Sequence, residues 1–262
     1  TLKRSTSHSR SPSPTSIRCA AIFFAFSRIL RAARAAAAPA TGVEREPHVP
    51  APYGALSVSP SSIWISSDGN PSSMCGNGGR CLVAFARKLQ IITDTTTFIA
   101  SDGLHHATID ENQLVSLQMK DVTFIKIAEN YLFLDSGSPH HIEMVTDLKT
   151  INVKKIGAEI RYSELYGSEG CNINFVYQIA KNEFAIRTYE RGVEDETLSC
   201  GTGATAVAIA MHANKKTNAN LISIQVEGGT LAVSFKENNG NYSSVFLKGL
   251  ATFVYKGIVE IN

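Results

Sequence analysis

Two short stretches, each led by a cysteine, decide how this chain folds: Met74-Cys75-Gly76-Asn77-Gly78-Gly79-Arg80-Cys81 and Ser199-Cys200-Gly201-Thr202-Gly203-Ala204-Thr205. Each places a cysteine on a Gly-x-Gly turn directly before an apolar, helix-like run. The two leading cysteines lie 125 positions apart, so we predict one site built from two matching halves. Two equivalent thiols that face each other suit a reaction in which one removes a proton and the other returns one.

The setting of the two cysteines favours chemistry at carbon next to a carboxylate. A cysteine at a helix N-terminus lies against unpaired backbone amides and the positive end of the dipole, which lowers the thiol pKa. The glycines allow a close backbone approach and leave amides for an anion. The alternatives are tight structural loops with small thiols, and a zinc site at Cys75 and Cys81. The zinc interpretation lacks a completing Cys/His pair, and Gly-Asn-Gly-Gly-Arg lacks the ending of a phosphate loop.

Composition narrows the class of protein. The chain has 262 residues, of which 44% are apolar and 18% charged, as expected for a globular protein with an ample core. From Ile63 onward it carries 17 Lys/Arg and 21 Asp/Glu, a net charge of −4, so we expect no nucleic-acid partner. Five cysteines are an odd number, which favours a reducing compartment and a cytoplasmic location. No run approaches the roughly 18 apolar residues of a membrane span.

Residues 1–62 differ in composition from the rest. Ser/Arg/Pro repeats are followed by a short apolar run and an Ala/Arg tract, with seven basic and no acidic residues in 1–43. Three interpretations compete: an organelle transit peptide, which would place the protein in the plastid stroma; a disordered tail; or a frame-shifted or chimeric segment. The chain begins at Thr1, so we also consider that it is incomplete.

From Ile63 onward, strand-like runs alternate with turns, and helix signals follow the two cysteine turns, at Leu82 to Leu89 and Ala204 to Ala213. The second helix is apolar almost all round, which indicates burial on every side with a sheet wrapped around it. We predict an α+β protein of two similar halves. The predicted strands are Phe98–Ala100, Leu114–Met119, Phe124–Ile127, Tyr131–Leu134, Ile173–Ile179, Glu183–Tyr189, Leu221–Val226, Leu231–Phe235, Ser244–Leu247 and Ala251–Tyr255.

Six blocks occurring in order then match a known family. The chain resembles diaminopimelate epimerase, a cofactor-independent enzyme that interconverts LL- and meso-diaminopimelate for lysine and peptidoglycan precursors. The resemblance runs from about Ser66 to the C-terminus. The blocks are Asp68-Gly69-Asn70, Met74 to Cys81, Gly137-Ser138-Pro139-His140, Glu169-Gly170-Cys171-Asn172-Ile173-Asn174-Phe175, Tyr189-Glu190-Arg191-Gly192 and Cys200-Gly201-Thr202-Gly203.

The resemblance implies two pseudo-symmetric domains, each a curled sheet around a central helix, with the active site in the cleft between them. We assign an incomplete N-terminal domain to 63–119, with 250–262 as the candidate segment to complete it, and a C-terminal domain to 120–249. The resemblance also implies diaminopimelate as the small-molecule partner, no cofactor, no metal and a homodimer. The catalytic residues would be Cys75 and Cys200, assisted by His140 and Glu190; the substrate-binding residues would be Gly76, Asn77, Asn172, Arg191, Gly201, Thr202 and Ser66.

The chain departs from the family pattern at its start. Nothing in residues 1–62 matches the family's opening strand with its Gly-Asn-Asp-Phe turn, and Ser66 stands where the family favours Asn. Because foreign sequence replaces that segment without lengthening the chain, we favour a frame-shifted or chimeric N-terminus over a transit peptide. The alternatives for function are therefore an impaired remnant of the enzyme and a proline racemase-like epimerase. A metal-binding module is a more distant alternative.

Overall fold

The computed structural model describes residues 74–254, and within that range the chain forms three helices and twelve strands. In chain order these are α1 Gly76–Lys88, β1 Thr95–Ala100, β2 Gly103–Ile109, β3 Leu114–Gln118, β4 Ile125–Ile127, β5 Leu132–Asp135, β6 Pro139–Met144, α2 Val153–Arg161, β7 Asn172–Ala180, β8 Glu183–Glu190, β9 Asp195–Thr197, α3 Gly201–Ala213, β10 Leu221–Val226, β11 Gly229–Asn238 and β12 Asn241–Leu250.

The strands form one continuous sheet in the order β1-β2-β3-β12-β11-β10-β8-β7-β6-β5-β4, with β9 added beside β8. Most neighbours are antiparallel, whereas β10 pairs with β8 and β6 pairs with β7 in parallel. Helix α3 contacts six strands that are spread across most of the sheet: β12, β11, β10, β7, β6 and β5. The sheet therefore curls around α3, and residues 201–211 of the helix are all buried.

Two halves of the described chain repeat one another with the spacing of the two cysteines. Each half consists of a cysteine-capped helix of 13 residues followed by three antiparallel strands, α1-β1-β2-β3 and α3-β10-β11-β12. Both helices end in the same way, because Gln90 and Lys215, also 125 positions apart, have φ of 58° and 57°. The third strands of the two halves, β3 and β12, pair with each other. The predicted α+β fold of two similar halves is thus confirmed, while the domain boundaries remain a prediction.

The two central helices differ in how many of their residues are buried. Helix α1 buries only Gly76, Gly78, Gly79, Arg80 and Val83. The described strands that pack against it are β2, β3 and β12, and its C-terminal turn carries Arg87 and Lys88. In the part of the chain that the structure describes, no helix is long and apolar enough to cross a membrane.

The strand predictions are largely confirmed, with three omissions and one error. Strands β2, β6 and β9 were not predicted, and neither was helix α2, which packs against β7, β8 and β9. Of the predicted strand Ala251–Tyr255, residues 251–254 form no strand and Tyr255 lies outside the described range. The predictions for residues 1–62 and Ser66 also lie outside it.

Candidate active site

Both leading cysteines cap the helices that follow them, in nearly the same geometry. Cys75 precedes α1 with φ −107° and ψ 108°, and its Sγ accepts a hydrogen bond from the amide of Gly78 at 3.3 Å. Cys200 precedes α3 with φ −115° and ψ 112°, and its Sγ accepts from Gly203 at 3.4 Å. Oxygen-bearing side chains are the preferred caps, so two cysteines at matching caps favour a chemical role for the sulfur.

The N-termini of α1 and α3 meet at their first glycines. A Cβ built on Gly76 would lie 3.1 Å from the Cα of Gly201, and one built on Gly201 would lie 2.9 Å from the Cα of Gly76. The Cδ2 atom of Leu247 on β12 packs against both positions. Any side chain here would push the helices apart, so glycine is required for the two cysteine turns to stand next to each other.

Hydrogen bonds connect the turn that follows Cys75 with the turn that contains Cys200. The side-chain amide of Asn77 donates to the carbonyl of Ser199 at 2.7 Å, and Arg80 donates to Asn77 Oδ1 at 2.9 Å. Arg80 also donates to the Gly76 carbonyl, as the hydroxyl of Thr205 donates to the carbonyl of Gly201 in the other half. The Asn77 side chain therefore links the two halves.

The first amides of both helices remain available to an anion. Among the described residues, none accepts a hydrogen bond from the amides of Gly76, Gly201 or Thr202. The amide of Asn77 faces the sulfur of Cys75 and helps to lower its pKa. Two clusters of helix N-terminal amides next to two sulfurs form a favourable setting for a carboxylate.

The pKa values of the thiols differ from the sequence-based expectation. Withdrawal from water raises the pKa of Cys75, and the amide of Gly78 only partly offsets this. Burial likewise raises the pKa of Cys200, the negative charge of Glu190 raises it further, and the hydroxyl of Thr202, 3.4 Å from the sulfur, opposes both. The predicted lowering of the thiol pKa is wrong, because the loss of hydration outweighs the hydrogen bonds from the helix amides.

The two thiols are unequally accessible. Cys75 has an exposed side chain, although enough protein surrounds its sulfur for desolvation to dominate its pKa, whereas Cys200 is 5% exposed. Both are free thiols. Glu190 at the end of β8 raises the pKa of both, so this carboxylate lies within electrostatic reach of each sulfur.

The carboxylate of Glu190, at the C-terminal end of β8, has a single hydrogen-bond partner among the described residues. The hydroxyl of Thr197 donates to Glu190 Oε2 at 2.9 Å. Burial raises the pKa of the Glu190 carboxyl, and this hydrogen bond lowers it. A carboxylate close to two thiols, with most of its hydrogen-bonding capacity unused by the described residues, can accept from a cationic ligand.

His140 on β6 is completely buried. Burial and the nearby charge of Arg191 lower the pKa of His140 to about 3, so its imidazole is neutral near pH 7. The side-chain amide nitrogen of Asn174 lies 3.1 Å from His140 Nδ1, and that of Asn172 lies 3.5 Å from Nε2. The sequence analysis did not assign a role to Asn174. The signal that could have identified it is its spacing: it lies two positions after Asn172 on a buried strand, so the two polar side chains share one face of the sheet.

Asn172 and Arg191 are neighbours across strands β7 and β8. The backbone amide of Arg191 donates to Asn172 Oδ1 at 2.8 Å, while the Asn172 amide nitrogen donates to Ser138 Oγ at 2.9 Å. The guanidinium of Arg191 donates to the carbonyl of Glu169 at 3.2 Å. Both polar atoms of the Asn172 side chain therefore bond to other parts of the protein, whereas Arg191 is partly exposed.

The Gly137-Ser138-Pro139-His140 turn also packs against the candidate active site. Ser136 just before it donates to the carbonyl of Thr202 at 2.8 Å, and a Cβ on Gly137 would lie 3.7 Å from Thr202 Cγ2. Gly137 has φ 108°, a conformation that favours glycine. The turn is therefore fixed against the N-terminus of α3, and it places His140 on the adjoining strand.

Solved structures resemble this chain in fold. A hydroxyproline epimerase from Agrobacterium vitis matches with a TM-score of 0.55 at 13% identity, over 71% of this chain and 65% of that one. A PhzF-family phenazine biosynthesis protein from Bacillus anthracis matches with a TM-score of 0.54 at 11% identity, over 71% and 75%. At such low identities, the similarity shows only that this chain shares the fold of these two proteins.

Sequence relatives are more specific. A family model described as diaminopimelate epimerase matches residues 132–254. A diaminopimelate epimerase from Flavobacterium psychrophilum is 62% identical over 194 residues, covering 74% of this chain and 76% of the relative. One from Aquifex aeolicus is 35% identical, covering 74% and 72%, and one from Chlorobaculum tepidum is 36% identical, covering 76% and 79%. The chain belongs to the diaminopimelate epimerase family.

Proposed function

We propose that this protein interconverts LL- and meso-diaminopimelate by moving one proton at the α-carbon, with Cys75 and Cys200 as the two bases. Its relatives are named diaminopimelate epimerases. The observation that carries the assignment of the bases is the pair of matching cysteine caps on two helices whose first glycines touch. Sulfurs on two facing turns are suited to opposite faces of one carbon.

In the proposed reaction, one sulfur removes the α-proton as a thiolate while the thiol on the opposite face delivers its own proton to the α-carbon. The C–H bond on one face breaks, a C–H bond forms on the other, and the thiol and thiolate exchange roles. No net electron transfer occurs, so the reaction needs no redox cofactor. We propose that fixed amide donors, instead of pyridoxal phosphate, stabilise the charge that develops as the α-proton leaves. The reverse reaction uses the same groups in exchanged roles.

The difficulty of this reaction is the weak acidity of the α-proton. The amides of Gly76, Gly201 and Thr202, which donate to no other described residue, are proposed to hold the α-carboxylate together with the amide of Asn77. Fixed donors at two helix N-termini stabilise the negative charge that develops on the carboxylate oxygens as the proton leaves. The α-ammonium group of the substrate would lie near Glu190, and its positive charge would favour a thiolate at the neighbouring sulfur.

The remaining predicted residues are proposed to act at the rest of the substrate. Arg191, which is partly exposed, is proposed to bind the distal end, and Asn172 to support it through the hydrogen bond to the Arg191 amide. His140 would contact the reacting end. Ser66 would complete the substrate-binding set.

The cellular location of the protein, its small-molecule partner and its assembly are also proposals. Two catalytic thiols need a reducing environment, so we place the enzyme in the cytoplasm. We propose diaminopimelate as its only small-molecule partner in the reaction, and a homodimer as its assembly.

The experiment that tests this function is proton NMR in D₂O under reducing conditions. LL- and meso-diaminopimelate should each lose the α-proton signal and reach the same mixture, while proline, as a control, should keep its signal. No loss of the α-proton signal from diaminopimelate, in a protein that shows a cooperative melt, would contradict the proposal.

A further inference from the structure

His140 lies in a chain of side chains that crosses three neighbouring strands. Parallel pairing of β6 and β7 sets His140 beside Asn172, and antiparallel pairing of β7 and β8 sets Asn174 beside Thr188. Asn172 and Asn174 are two positions apart on β7 and therefore face the same side of the sheet. All four side chains are buried.

The orientation of the Asn174 amide is determined by its neighbours. Its nitrogen lies 2.9 Å from the carbonyl oxygen of His141, which can only accept a hydrogen bond. Its oxygen accepts from the hydroxyl of Thr188 at 3.0 Å. Reversing the amide would place two oxygens together at His141, so the NH₂ group must point toward the β6 backbone.

This orientation fixes where His140 carries its proton. The same Asn174 nitrogen lies 3.1 Å from His140 Nδ1, so Nδ1 is the acceptor and has no hydrogen. The imidazole is neutral, since its pKa is about 3. The single ring proton must therefore be on Nε2.

Nε2–H then has no acceptor among the residues that the structure describes. Among the described residues, the polar atom within hydrogen-bonding distance of Nε2 is the Asn172 nitrogen at 3.5 Å. That nitrogen is itself a donor, because Asn172 Oδ1 accepts from the Arg191 amide and the nitrogen donates to Ser138 Oγ. A buried N–H between other donors is unfavourable unless a ligand supplies an acceptor.

We propose that Asn174, oriented by Thr188 and the His141 carbonyl, is a positioning residue that fixes His140 as the Nε2–H tautomer, so that His140 donates to a carboxylate oxygen of the substrate. This rests on the proposed function. It also separates two roles: His140 offers a donor to an anion, and the ammonium group is left to Glu190. Asn174 also packs closely against the turn that follows Cys200. A Cβ on Gly203 would lie 2.6 Å from Asn174 Oδ1, so this position has no room for a side chain.

The tautomer is measured directly by long-range ¹H–¹⁵N NMR of the imidazoles in the ligand-free wild-type protein near pH 7. The His140 signals, assigned by their loss in His140→Gln, should show a protonated Nε2 and an unprotonated Nδ1. A protonated Nδ1, or an imidazolium, would overturn the proposal. Because no substrate is present, this result is independent of whether the chain epimerises diaminopimelate.

Variants then test the positioning role. Asn174→Asp keeps the shape but offers only acceptors when ionised, so the ring proton should move to Nδ1 or the ring should become charged. We expect kcat for diaminopimelate to fall about 100-fold, as for other residues that orient a catalytic histidine. An unchanged His140 spectrum in a folded Asn174→Asp protein would overturn the role of Asn174. If Asn174→Asp does not fold, the wild-type spectrum still decides the tautomer.

Thr188 provides the graded test. Thr188→Val removes the donor to Asn174 and should lower kcat roughly 10-fold with broadened His140 signals, whereas Thr188→Ser should restore both. The matched control is Thr217→Val, which removes a buried threonine that donates to Asn182 Oδ1 at 2.7 Å elsewhere in the fold. Equal losses in Thr188→Val and Thr217→Val, with His140 signals unchanged in both, would overturn the role of Thr188.

Discussion

Gly76 and Gly201 lie backbone against backbone, so that a Cβ on Gly201 would be 2.9 Å from the Cα of Gly76. Each is the first residue of a helix capped by a cysteine. The contact brings two helix N-termini and two thiols to one place, and it joins the two repeated halves of the chain. The proposed chemistry depends on this contact.

The contact predicts the effect of a single methyl group. Gly201→Ala should separate α1 from α3, because the methyl group would meet backbone atoms of Gly76 that cannot rotate away. We expect a loss of about 1–3 kcal/mol in the free energy of unfolding and a fall in kcat of the folded protein. Urea unfolding and α-proton exchange measure the two effects.

The control for this substitution is Gly79→Ala on the same helix. Its Cβ would meet the Cδ2 of Leu117, 2.8 Å away, and the Cε of Met74, 2.9 Å away, both of which are ends of flexible side chains. It should cost stability while kcat of the folded protein stays closer to that of the wild type. Equal kcat values for the two variants would contradict the importance of the Gly76–Gly201 contact.

The raised thiol pKa values predict slow alkylation at neutral pH. Desolvation keeps Cys75 and Cys200 protonated in the ligand-free chain, so the rate of reaction with iodoacetamide should keep rising beyond about pH 9. Cys75 should react first because it is exposed. Mass spectrometry of the labelled peptides gives both rates, and a rate for Cys75 that levels off below about pH 8 would instead support the lowered pKa expected from the helix dipole.

The Thr197–Glu190 hydrogen bond predicts a change in the pH profile. Thr197→Val removes the hydroxyl that lowers the pKa of Glu190, so that pKa should rise further above its ordinary value. The acid limb of kcat/KM should therefore move to higher pH, with little change on the alkaline side. Thr197→Ser should restore the profile, and an acid limb that does not move in Thr197→Val would separate Glu190 from the reaction.

Burial of neutral His140 predicts a loss of stability in acid. Its pKa is about 3 in the folded chain and near 6.5 when unfolded, so below about pH 6.5 the unfolded chain binds the extra proton. The free energy of unfolding should fall by about 2 kcal/mol between pH 6.5 and pH 5 from this group. His140→Gln should lack that component in urea unfolding; parallel pH dependences in the two proteins would show that His140 is not held neutral.

Much of this fold could be predicted from two sequence patterns. The repeated Cys-Gly-x-Gly turns predicted two similar halves, and the apolar run after Cys200 predicted a helix enclosed by a sheet. Helix α2 was missed because it buries a single stripe, Val153, Gly157 and Arg161, although Asn152 caps it through a hydrogen bond to the Lys155 amide. Strands β2 and β6 were missed because adjacent histidines interrupt their apolar patterns.

The sequence motifs named a candidate site, whose residue roles remain a proposal, but they did not predict its electrostatics. The motifs named both cysteines, but the direction of their pKa shifts depends on burial, which a turn motif does not contain. Asn174 and Thr188 were missed because their roles come from side-chain contacts across three paired strands, which join residues 14 and 34 positions apart in the sequence.

Both cysteines should be indispensable, since each face of the α-carbon needs its own base. Cys75→Ala and Cys200→Ala should each lower kcat for epimerisation by at least about 100- to 10,000-fold. Cys171→Ala removes a buried free thiol that packs in an apolar cluster with Val153 and Tyr189, so it is the matched control and should stay active. Substantial turnover in both directions by either catalytic variant would contradict the assignment.

The most direct test of the two-base proposal is the position of deuterium at early times in D₂O. Starting from LL-diaminopimelate, opposite thiols should give meso product that carries solvent deuterium at the inverted carbon, while the remaining LL substrate keeps its proton. Mass spectrometry of the separated stereoisomers measures both. Meso product that retains the substrate's own proton, or LL substrate labelled as fast as product forms, would show that a single base serves both faces.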